Sequence, residues 1–161
     1  MSINKYLPHV LVIPEDKANS DIANGFLLHP QLNERSIQVL PYVGGWKIAI
    51  EKFKKNFASK MQLYPNRIII LLIDFDGKEE RLDYIKKQIP EELNERVFIL
   101  GSLSNPEELK STLRKSFESI GESLSANCFE NEDGLWSHDL LKHNKIELDR
   151  ISPSVKPFLF N

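Results

Sequence analysis

The sequence predicts an α/β protein built on an open parallel sheet, and three observations carry that prediction. Short apolar segments alternate four times with segments of helical periodicity. The third of them, residues 68–73, is purely aliphatic, the pattern of a strand buried on both faces. Acidic residues stand just beyond the first and third segments, Glu15 in one case and Asp74 with Asp76 in the other. In open α/β sheets ligands bind in the crevice outside the carboxyl ends of the strands.

The composition agrees with one globular domain. A chain of 161 residues can bury a full core, and its 41% hydrophobic and 27% charged residues suit such a core with a solvated surface. The net charge of −2 gives no global basic field, so nucleic-acid binding would need a local patch. A single cysteine, Cys128, excludes an internal disulfide and an all-cysteine zinc site within one chain. The amino-terminal residues lack the long apolar core of a signal peptide, and no run reaches membrane-spanning length. The expected location is therefore cytoplasmic, with no membrane association.

Strands are expected near residues 9–14, 37–42, 67–74 and 96–100. Pro14 cannot donate to a ladder, so the first strand ends there. Asn19 or Ser20 is expected to cap a helix over residues 21–28, closed by Pro30, with Gly25 allowing close packing on the sheet. A helix over residues 47–60 follows the second strand and the turn at Gly44 and Gly45. Another spans residues 79–89 with Leu82, Ile85 and Ile89 on one face, and Pro90 ends it.

After the fourth strand only helices are expected. Asn105 caps one over residues 107–114, a second spans residues 117–124, and residues 127–134 form a polar loop. A last helix covers residues 136–151, and Pro153 and Pro157 bracket an apolar tail. The expected whole is a Rossmann-like open sheet of about four parallel strands with flanking helices. Residues 1–116 form its α/β part, and residues 117–161 a helical extension packed on the same domain. Phe158, Leu159 and Phe160 are expected to pack rather than face water.

The chemistry is expected at the strand ends. Side chains two apart in a strand point the same way, so Asp74 and Asp76 can project together. Adjacent carboxylates repel unless a cation or a shared proton relieves them. With Glu15, and Glu107 or Glu108 after the fourth strand, they make an oxygen-rich set suited to Mg²⁺ or Mn²⁺. Gly44 and Gly45 can bring backbone N–H groups toward a phosphate at a helix start, although a plain loop needs such glycines too. Lys47, Lys52, Lys54 and Lys55 can face phosphates or simply form a solvated helix face.

Among the other polar residues, His138 and His143 are five apart and poorly placed as a metal pair, whereas Asp139 and His143 have contact spacing. Trp46 and Trp136 are expected as core or interface anchors. No helix start lies near Cys128 to activate its thiol.

The pattern of Glu15, the glycine turn in residues 44–49, and Asp74-Phe75-Asp76 resembles the toprim domain. This metal-binding domain is shared by topoisomerases, primases and overcoming-lysogenization-defect nucleases. The resemblance covers residues 9–115. Glu15 stands where that family has its glutamate, Asp74 and Asp76 match its Asp-x-Asp, and Glu107 or Glu108 stands for the late acid of the nuclease branch. Asp16 occupies the family's usual glycine position, so Asp16 or Asp21 is a substitute ligand.

The resemblance implies Glu15, Asp74 and Asp76 as catalytic residues, with Glu108 as a further metal ligand. It also implies Gly44, Gly45 and Lys47 against phosphate, and Mg²⁺ or Mn²⁺ as cofactor. A topoisomerase needs a tyrosine on another domain and a primase needs template modules. Hydrolysis needs the least further machinery, so a small nuclease or nuclease subunit acting on DNA or RNA is expected. A protein partner or a second copy is compatible with it.

The alternative is a non-catalytic interaction protein whose acids only cap helices. A receiver domain would add a lysine soon after a late strand, and a nucleotide binder would carry a glycine-rich loop after the first. The residues after Leu100 and Ile13 provide neither.

Overall fold

The computed structural model describes residues 2–161. The apolar runs become β1 (His9–Pro14), β2 (Ile37–Val39), β3 (Arg67–Leu72) and β4 (Val97–Leu100). All pairings are parallel, in the order β2-β1-β3-β4, with His9 opposite Arg67 and Val10 opposite Ile37. The Rossmann-like open sheet expected from the sequence is thus present. β2 stops early because Leu40 makes the last bond, to Val12 O at 2.9 Å, and Pro41 has no donor. β3 also ends two residues before Asp74.

Alternate strand residues leave on opposite faces of the sheet. Leu11, Ile13, Ile69, Leu71 and Ile99 pack under α2 (Trp46–Lys52) and α3 (Glu80–Gln88). Val10, Val12, Ile68, Phe98 and Leu100 meet α1 (Lys17–Phe26) and α6 (Lys145–Leu159). Right-handed crossovers require this division when β1 connects outward to β2 and β3 outward to β4. Leu109 of α4 (Pro106–Leu113) and Ile120 and Leu124 of α5 (Phe117–Glu130) form a third cluster.

Several helices depart from the sequence expectation for identifiable reasons. α1 begins four residues early because Asp16 caps it, accepting from Asn19 N at 3.0 Å, so Asn19 lies inside the helix. Gly25 packs on α5 rather than on the sheet. A Cβ there would lie 2.1 Å from Glu118 O, and one on Gly121 would lie 2.0 Å from Ile22 O. The segment after α2 widens into a π-helical turn at Phe53–Phe57. Phe53 and Met61 would sit about 80° apart on a straight helix. The extra residue offsets that angle, and both are fully buried.

α5 runs on through Asn127 and Cys128 to Glu130, where a polar loop is expected. Asn127 lies within the helix while its side chain accepts from Leu135 N at 2.9 Å, so polarity here reflects anchoring of the next segment. Gly134–Ser137 and Lys142–Asn144 are short 3₁₀ turns, and α6 starts only at Lys145.

Pro153 and Pro157 lie inside α6 instead of bracketing a tail. Both face solvent, where water can reach the backbone acceptors they leave open, while Ile151, Val155 and Leu159 bury the opposite face. The tail packs as expected. Asn33 N donates to Leu159 O at 2.7 Å, and the Phe160 ring meets Phe26, His29 and Phe129.

α6 and the turn before it also close the β4 edge. Ile99 N donates to Glu147 Oε2 at 3.0 Å. Gly101 N donates to Asn144 Oδ1 at 3.1 Å, and Asn144 Nδ2 donates back to Gly101 O at 2.9 Å. These side chains stand where a fifth strand would pair and cap the carboxyl end of the β4 edge. A Cβ on Gly101 would lie 1.6 Å from Ile73 O, so only glycine permits this approach.

Candidate metal centre

β1 and β3 are neighbours whose crossovers leave in opposite directions, so their carboxyl ends frame a topological switch point. Glu15 continues the β1 ladder, donating its N–H to Leu72 O at 2.9 Å. Its Oε2 accepts from Asp74 N at 2.6 Å, which locks the two strand ends together. Asp16 turns its carboxylate back to cap α1. Asn19, one turn into that helix, donates Nδ2 to Asp16 Oδ1 at 3.0 Å and to Asp74 Oδ1 at 2.9 Å.

Glu15, Asp16 and Asp74 each present an oxygen within 4.8 Å of the others. Asp74 is 6% exposed. Burial raises its pKa to about 8, with Glu15, Asp16 and Glu107 adding repulsion and the Asn19 amide opposing the rise. Burial also raises the Glu15 carboxyl, against the lowering effect of the Asp74 N–H bond. This donor set is all oxygen and partly desolvated, and a hard divalent cation would fit it by displacing the Asp74 proton, whereas zinc suits it poorly. The structural hydrogen bonds engage Glu15 Oε2, Asp16 Oδ1 and Asp74 Oδ1, and the second oxygen of each carboxylate has no such partner among the described residues.

Asp76 stands outside this group. β3 has already ended, and Asp76 adopts a left-handed φ of 49° in a turn whose N–H groups bond to Ser102, Ser104 and Leu103 carbonyls. The i,i+2 rule for strands therefore does not apply to it. Its Oδ2 accepts from Arg81 Nη1 at 2.8 Å, and the same nitrogen donates to Asp74 O at 2.6 Å. Arg81 is buried, and its guanidinium lies 4.5 Å over the Trp46 ring.

Gly44 and Gly45 sit at φ 99° and 156°, and both donate N–H to Glu15 O, at 2.7 and 3.0 Å. They hold the first strand end in place and turn no free N–H toward an anion. Lys47 Nζ lies 5.4 Å over Trp46. Lys54 and Lys55 pair with Glu51, as a solvated helix face does.

Of the two acids opening α4, Glu107 is the one whose charge reaches Asp74. Glu108 N bonds to Asn105 Oδ1 at 2.9 Å, and its carboxylate joins no described cluster. Asp21 pairs with Lys17 at 2.9 Å and stays outside the cluster that Asp16 joins. Asp139 pairs with Lys142 rather than His143, whose ring packs edge-on to Phe75 at 5.1 Å between centroids.

Two residues of the site escape sequence reasoning. Asn19 reads as a helix cap, and Arg81 draws no reading from the sequence. The Asp16-x-x-Asn19 spacing is a signal for the cap, but nothing local points either residue at Asp74. No protein family, curated protein or solved structure matches the chain.

Proposed function

We propose that the chain is a divalent-metal-dependent phosphodiesterase acting on DNA or RNA, with Glu15, Asp16 and Asp74 as the cation ligands. The observation that carries this reading is the burial of Asp74 against two further carboxylates at the switch point of the sheet. Repulsion and desolvation of this kind cost folding stability and are relieved by a cation. Mg²⁺ or Mn²⁺ bound there would polarise a phosphodiester and stabilise its leaving oxygen. Asn19 orients Asp16 and Asp74, the Glu15 bond to Asp74 N fixes the spacing, and Arg81 holds Asp76 and the Asp74 carbonyl.

The competing reading, a non-catalytic interaction protein, draws on the structural duties of the same acids, since Asp16 caps α1 and Asp76 pairs with Arg81. One experiment separates them. Millimolar Mn²⁺ raises the melting temperature of the wild type, Asp74→Asn abolishes the rise, and manganese-dependent cleavage of DNA or RNA disappears in the same variant. A metal response without cleavage supports a binding module. No metal response at all removes the centre.

A further inference from the structure

The two faces of the sheet are covered unequally. Under α2 and α3, Ile69 and Leu71 of the central strand are fully buried. On the other face Ile70 and Leu72 of the same strand stay half-buried, although β3 has a neighbour on either side. The cause is helix placement. The Gly25–Gly121 contact draws α1 against α5, while α6 lies on β1 and β4, leaving a gap over the middle of β3.

The gap is a cavity of about 580 Å³. Ile70 and Leu72 form its floor, Phe26 and Leu148 line its sides, and Leu124 and Trp136 cover it. Protein interiors hold few voids larger than a water molecule. A void of about 150 Å³ already accepts benzene, and an apolar lining offers water too few polar partners to fill it stably. The volume falls in the range of small-molecule sites, roughly 300–1,000 Å³.

Charge at the rim identifies the polar end of an occupant. Lys156 borders the cavity, bonds through Nζ to the neutral Asn131 side chain, and has no carboxylate partner among the described residues. Its charge reaches Cys128, which also lines the cavity. The lining also includes Lys142, Lys145, Glu132, Asp133 and Asp149. Lys142 is paired with Asp139 and Lys145 with Asp133 and Asp149, so Lys156 alone of the three lysines has no carboxylate partner among the described residues. At the other end Asn19 lines the cavity, and its neutral amide is already bonded to Asp16 and Asp74. We infer that this cavity binds a single-chain fatty carboxylate, its apolar body over β3 and its head at Lys156. Scaling from benzene, a chain of about twelve carbons fits with room to spare.

The test is titration with dodecanoate below its micellar concentration. It is followed by Trp136 fluorescence in a Trp46→Phe background, which leaves Trp136 as the lone tryptophan. Saturable binding at one molecule per chain is expected. Lys156→Gln weakens dodecanoate binding about tenfold and leaves dodecanol binding unchanged. Ile70→Phe fills the floor and abolishes both, with circular dichroism confirming the fold, and Leu148→Phe, filling from the α6 side, weakens both. Absence of saturable dodecanoate binding to the wild-type cavity overturns the inference. So does equal affinity in a folded cavity-filling variant, or a Lys156→Gln effect of the same size on dodecanol.

Discussion

The side-chain amide of Asn19 donates to Asp74 Oδ1 at 2.9 Å, joining residues 55 positions apart in the chain. It is the only side-chain hydrogen bond that a carboxylate oxygen of Asp74 receives among the described residues, and the same amide holds Asp16. Asn19→Ala therefore leaves the buried Asp74 without a partner. A loss of about 1–3 kcal/mol in urea unfolding is expected, because an unsatisfied buried polar group carries its full desolvation penalty. Unchanged stability would show that water replaces the amide without cost.

The raised pKa of Asp74 sets a pH dependence whose sign is determined. Folded Asp74 keeps its proton to about pH 8, whereas the unfolded carboxyl releases it near 3.8. Between those values the folded state binds more protons, so stability falls as pH rises. The metal-free melting temperature should drop from pH 5 to pH 8. Asp74→Asn should remove most of the slope, leaving a remainder from Glu15, whose carboxyl is raised as well. An equally steep slope in the variant would assign the effect to other groups.

Asn144 tests the closure of the β4 edge. Its amide satisfies both backbone groups of Gly101 and also donates to Leu141 O at 2.9 Å. Asn144→Ala is expected to cost about 2–4 kcal/mol, since two buried backbone groups lose their partner together. Amide hydrogen exchange at Gly101 should accelerate in step. Protection equal to wild type would mean that the edge is closed by other contacts.

Removal of residues 157–161 tests the tail. Leu159 is buried, Phe160 forms an isolated bridge with Leu32, and Asn161 N donates to Gln31 O at 2.7 Å. Losing this apolar contact should lower stability by several kcal/mol, an area-based upper value of order 25 cal/mol per Å² buried. A truncated protein melting at the wild-type temperature would refute the contribution.

Strand positions and parallel pairing were legible because unpatterned aliphatic runs separated by helical segments have few other stable arrangements. Glu15 and Asp74 were legible for a related reason, since a carboxylate just past such a run lies at the ligand-binding edge of the sheet. The α6 prolines misled because proline marks a helix end locally, and only the solvent-facing side of a packed helix tolerates its missing donor. The extent of α5 was obscured in the same way, by side chains whose partners lie on a later segment.

The amino-acid sequence by itself determined that β1 and β3 are buried strands and that acidic residues stand at their carboxyl ends, since both follow from local composition and periodicity. Only the tertiary structure decided that Asp16 rather than Asp76 meets Glu15 and Asp74. That choice depends on the adjacency of β1 and β3 and on the left-handed turn that sends Asp76 to Arg81. It depends equally on an Asn19 bond spanning the two strand ends. Each is a contact between distant parts of the chain, and its energy exists only once the sheet has assembled.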